Sequence, residues 1–137
     1  VPSLHVATVF LAWGFYRKIF GEEDFTEDEK REWEKELYDG ALEITETVLY
    51  VKQHSVNCIP AALYLATANF PEFVSVEDAR KFISEMFATP EGFSEEAALQ
   101  VREHIRATYE QYLEEGAKSE NWYDPVREFL IKYEREK

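Results

Sequence analysis

Residues 26–53 read TEDEKREWEKELYDGALEITETVLYVKQ, and this stretch decides the fold. It opens on Thr26-Glu27-Asp28-Glu29, in which the threonine hydroxyl can accept from a free helical amide while Glu29 reaches back to the threonine backbone. Apolar residues then fall at Trp33, Leu37, Ala41, Ile44, Val48 and Val51, in steps of 4, 4, 3, 4 and 3. That period belongs to a helix. Continued to Gln53, the helix is about 42 Å long, against a radius of gyration of ~14 Å for a domain of this size. It therefore crosses the whole domain or bends near Gly40, the residue best suited to a break. Beside the apolar stripe runs a second row, Glu32, Glu36, Asp39, Glu43 and Glu46, in steps of 4, 3, 4 and 3. These carboxylates share one helical face although like charges at that spacing oppose the helix slightly.

On the N-terminal side lies a run from about Ser3 to Phe20 that is apolar almost all round, with Gly21 as its stop. A helix apolar on every face is central in a bundle or covered by a partner. Its β-branched content leaves a strand reading open for Val6 to Leu11. On the C-terminal side, Asn57 is the expected cap of a short apolar helix with Pro60 in its first turn, ended at Asn69-Phe70-Pro71. Ser75 and Ser94 start two further helices, the second marked by Ala98, Val101, Ile105, Tyr109 and Tyr112. Asp124 caps a last one with Pro125 at its first position. The expectation is an all-α fold: a single compact bundle of about six helices with a buried apolar N-terminal helix, one domain over residues 1–137.

Composition narrows the function. The 137 residues carry 28 acids against 15 lysines and arginines, a formal charge of −13. Such a chain repels phosphate backbones and anionic lipid surfaces, so neither direct nucleic-acid binding nor membrane association is expected. The uncharged stretch Leu4 to Tyr16 is too short to cross a bilayer, and its cations, Arg17 and Lys18, follow it rather than precede it as in a secretory signal. One cysteine, Cys58, and no Asn-x-Ser/Thr acceptor fit a cytoplasmic setting. The charge is concentrated: residues 22–46 hold 12 acids and three bases, a net −9.

Motifs for bond-making are sparse. The five glycines are too scattered for a phosphate loop, and no Gly-x-Ser-x-Gly or His-Glu-x-x-His occurs. His5, His54 and His104 lie far apart and none follows a glutamate by three residues, so they read as structural histidines with no metal or cofactor implied. Glu43-x-x-Glu46 resembles half of the carboxylate set of the all-α nucleotide pyrophosphatases, which implies a Mg²⁺- or Mn²⁺-dependent nucleotide hydrolase. The second half departs from that pattern, because Glu77 and Asp78 are adjacent rather than three apart. Pro60-Ala61-Ala62-Leu63-Tyr64-Leu65-Ala66 resembles the central helix of cyclin-box domains, which implies an adaptor that binds through an apolar groove.

The leading expectation needs no catalytic residue. It is an acidic helical protein-interaction module that docks onto a basic protein surface and thereby inhibits or regulates it, the natural target being a nucleic-acid-binding protein. Glu32, Glu36, Asp39, Glu43 and Glu46 would supply steering and rim contacts, with Trp33 and Trp122 as apolar anchors. The alternatives are the groove-binding adaptor, the metal-dependent hydrolase and a structural subunit, with homo-oligomerisation open in each.

Overall fold

Helices begin where a side chain can accept from backbone amides that have no intrahelical partner. The computed structural model describes residues 2–136. Its elements are α1 (Leu4–Glu22), α2 (Glu27–Tyr50), α3 (Cys58–Asn69), α4 (Val76–Glu85), α5 (Glu95–Gly116) and α6 (Asp124–Arg135), with no strand among the described residues. Ser3, Thr26, Ser75 and Ser94 each accept from the amide three residues on. Thr26 with Glu29, and Ser75 with Asp78, form complete capping boxes. Two expected caps differ. Asn57 precedes α3 in a helical conformation and makes no capping bond; its side-chain oxygen instead meets His104 Nε2 at 2.6 Å. Asp124 is the first residue of α6 rather than its cap, and it accepts from Ser119 Oγ at 2.5 Å.

Helix α2 runs through Gly40 without a break and ends at Tyr50, short of Gln53. Lys52 takes a left-handed conformation (φ 55°). Its amide bonds to Leu49 O at 3.0 Å and that of Gln53 to Val48 O at 3.1 Å. This is the Schellman pattern, with lysine where glycine is usual. The buried face of α2 is Tyr38, Ala41, Thr45 and Val48. Trp33, Ile44 and Val51, which the apolar count places inside, are exposed. Tyr38 accounts for the rotation: its ring packs between Trp13 (centroids 5.0 Å) and Phe82 (5.7 Å). Burial pushes its phenol well above the usual tyrosine range. Ala41 and Thr45 are small enough to let α2 approach closely, and the Thr45 hydroxyl is satisfied by Ala41 O at 2.8 Å.

The central helix is α3. From Ile59 to Thr67 every residue is buried except Leu65, which is half-buried. Helices α1, α4 and α5 pack on it, while α2 packs on α1 and α6 on α5. Helix α1 buries only one face: Val6, Ala7, Phe10, Trp13 and Gly14. The apolar N-terminal helix is buried along this face, where α2 and α3 pack on it, while Leu4, Phe15 and Tyr16 on its other side are exposed. Residues 6–11 are helical, which removes the strand reading. No helix among the described residues is long and apolar enough to cross a membrane.

A dense joint fixes α1 to the start of α4. A Cβ on Gly14 would lie 2.4 Å from Val74 Cγ1 and 2.5 Å from Phe73 O, closer than any methyl group can sit. One turn on, Arg17 donates to Asp78 Oδ1 at 2.9 Å, to Asp78 Oδ2 at 2.8 Å and to Phe73 O at 3.0 Å. Its guanidinium also stacks over the Trp13 ring at 4.2 Å. Asp78 Oδ2 accepts in addition from the Ser75 amide at 2.8 Å. Burial works to raise the Asp78 pKa, but the Arg17 and Ser75 bonds outweigh it and hold the carboxyl below its ordinary 3.8.

Two outcomes are expected. Gly14→Ala destabilises the fold by at least about 1–3 kcal/mol in urea unfolding, since backbone must shift to admit the methyl; an unchanged midpoint would contradict the joint. The lowered Asp78 pKa gives stability that is complete above the unfolded carboxyl pKa and lost as pH falls through the folded one. Asp78→Asn should therefore flatten the fall in stability below pH 3.8 relative to the wild type. Parallel acid-unfolding curves for the two would remove the ion pair from the account.

Candidate functional site

The acidic face of α2 follows from the residues it buries. With Tyr38, Ala41, Thr45 and Val48 turned inward, Glu32, Glu36, Asp39 and Glu43 are exposed. The three bases of residues 22–46 are already matched on the same helix: Lys30 with Glu27 at 3.4 Å, Arg31 with Asp28, and Lys35 with Asp39. Among the described residues, Glu32, Glu36 and Glu43 form no ion pair, nor do Glu22, Glu23 and Asp24 in the preceding turn. Arg17 on α1 is held by Asp78. The negative potential of this face is therefore not cancelled locally.

Glu46 is different. It is half-buried and its Oε1 accepts from the Phe87 amide at 2.6 Å. Phe87 sits at φ 55°, a strained conformation for a bulky side chain. It is held there from both sides: Arg102 Nη1 donates to Met86 O at 3.0 Å and Phe87 O at 3.1 Å. The buried ring packs against Tyr50 and Phe93, with centroids at 5.6 and 5.3 Å. The last member of the sequence row is thus a fastener for the turn after α4, not a free carboxylate.

The same bond separates Glu46 from Glu43, the pair read as half of a metal site. Its presumed complement is also engaged: Asp78 by Arg17, and Glu77 by Arg80 at 2.5 Å. No group of three or more His, Cys, Asp or Glu is placed to hold a metal ion among the described residues.

The two tryptophans lie on different surfaces. Trp33 is 50% exposed and its ring is 6.2 Å from that of Phe20. Phe20 in turn meets Phe25 at 5.6 Å and Tyr16 at 5.9 Å, and Phe15 joins Tyr16 to Phe73 at 5.4 Å on each side. These α1 and loop aromatics form a continuous half-exposed file that the sequence reading treats as core. Trp122 is 37% exposed, edge-on to Tyr123, and lines an open groove of about 410 Å³ with Val126, Leu130 and Ile131.

The histidines pair in a way their spacing conceals. His5 Nδ1 lies 3.3 Å from His54 Nε2, across 49 residues of sequence, and the ring centroids are 5.6 Å apart. The two nitrogens therefore lie close to the line joining the rings, the geometry of one imidazole donating to the other. His104 meets Asn57, so each histidine has a partner.

Glu43 and Glu46 give a direct test of these placements. Glu46→Ala should cost about 1–3 kcal/mol, since it leaves the Phe87 amide unpaired. Glu43→Ala should stay within about 0.5 kcal/mol. Chemical denaturation of both variants reads the difference, and equal effects would refute the distinct roles. Comparison with family models, with curated proteins and with solved structures finds no match to this chain.

Proposed function

We propose that the chain is an acidic protein-interaction module whose second helix docks onto a basic protein surface. The observation that carries this reading is the exposed, unneutralised set Glu32, Glu36 and Glu43, on a helix whose own cations are all matched by other acids. Such a face accelerates encounter with a cationic partner and fixes its orientation more than it sets final affinity. A surface so occupied cannot also hold a nucleic acid, so the module would inhibit a partner whose cationic surface binds phosphate. The Trp122 groove supports a second reading, an adaptor that takes an apolar segment, whose binding would survive high salt.

Salt and charge reversal test the first reading together. Partner retained by the immobilised chain at roughly 50 mM salt should be released at roughly 500 mM, where the screening length is a few ångströms. The variant Glu32→Lys/Glu36→Lys/Glu43→Lys should fail to retain it at either salt. Retention that ignores both salt and charge reversal would exclude electrostatic docking and favour the groove.

A further inference from the structure

We infer that the Trp122 groove is covered by a second copy of this chain, whose α6 lies antiparallel to the first about a two-fold axis between Leu130 and Ile131. The inference goes beyond the docking reading and is independent of it, since Glu32, Glu36 and Glu43 take no part. Helix α6 packs on α5 and buries only Pro125 and Val126. Leu130 and Ile131 stay half-buried, and the Trp122 ring beside them is 37% exposed. Single exposed apolar residues are ordinary, but these converge on one concavity of about 410 Å³.

Charge identifies the occupant. Two charged residues line the groove, Arg127 and Glu134, and neither forms an ion pair among the described residues. Arg127 precedes Leu130 by three residues and Glu134 follows Ile131 by three. Seven residues apart on one helical face, they are separated by about 10 Å and cannot meet within the helix. A two-fold axis at the Leu130–Ile131 midpoint exchanges the two positions. It sets Arg127 of each copy against Glu134 of the other, with Leu130 and Ile131 meeting their counterparts between them. An interface between identical surfaces must be self-complementary in this way. The groove therefore carries on its own wall the charges that its occupant needs, whereas a segment of one charge sign would satisfy one rim residue and oppose the other. The helix as a whole permits the approach. From Asp124 to Arg135 it holds three acids and three bases, so it is neutral in a chain of net −13. Two copies meet there without the repulsion that residues 22–46 would impose.

The test is sedimentation equilibrium of the full chain at roughly 150 mM salt, where the screening length of about 8 Å weakens the general repulsion between copies. The contact is small, so a reversible monomer–dimer equilibrium is expected at concentrations up to roughly 100 μM. Arg127→Glu and Glu134→Arg, both at exposed positions, should each weaken the dimer roughly tenfold, because each turns two attractive pairs into two repulsive ones. An equimolar mixture of these two variants should dimerise as the wild type does, since each copy then meets the opposite sign at both rims. Ile131→Lys should leave monomer alone, with helix content checked by circular dichroism. Glu32→Lys/Glu36→Lys/Glu43→Lys should leave the dimer in place, which keeps this test separate from that of docking. A wild type that stays monomeric, or a dimer that neither single reversal weakens, overturns the proposal. Weakening that mixing does not repair overturns the antiparallel pairing, and a dimer lost with the α2 carboxylates overturns the choice of face.

Discussion

The structure depends on the narrow stripe by which α2 rests on the rest of the bundle. Tyr38, Ala41, Thr45 and Val48 are the only buried residues of a helix with 24 residues. Because the stripe is narrow, the orientation of everything else on α2 is determined by it. Glu32, Glu36 and Glu43 point to solvent, Glu46 falls at the edge where it reaches Phe87, and Trp33 turns out to meet Phe20. A helix with a broad apolar face could not display so much charge without burying some of it, and buried unpaired carboxylates are costly.

Much of the fold is legible in the residues themselves. Thr26, Ser75 and Ser94 mark helix starts because a hydroxyl accepting from an amide three residues on is a local interaction, complete within one turn. Asn57 misleads because a distant group, His104, competes for the same carboxamide. The face of α2 misleads for a related reason. Tyr38 is amphipathic, and a count of purely apolar positions passes over it, yet its ring finds Trp13 and Phe82 and decides which side turns inward. Trp33 sits in the correct period but one face away, and period alone does not say which face is covered.

The candidate site is legible to the extent that it is periodic. The carboxylate row follows from spacing within one helix, and four of its five members stand where that spacing puts them. The fifth, Glu46, is claimed by an amide 41 residues away, which no local pattern announces. The aromatic file has no local signature at all. Phe15, Tyr16 and Phe20 look like core residues of an all-round apolar helix. Phe15 and Tyr16 are exposed and Phe20 half-buried because α1 buries only the face of Val6, Ala7, Phe10, Trp13 and Gly14. The His5–His54 pair is likewise a product of topology, which brings the start of α1 to the loop before α3.

One carboxylate joins local and distant order. Asp78 closes the first turn of α4 through Ser75 and, through the same Oδ2, receives the guanidinium of α1. The beginning of α4 therefore cannot fray as an independent end; loosening it also releases α1, and detaching α1 deprives α4 of a restraint. The two helices should open as one cooperative unit rather than peel in sequence. Glutamate, although it keeps the charge, is no neutral replacement here: its extra methylene displaces the oxygen that both partners share.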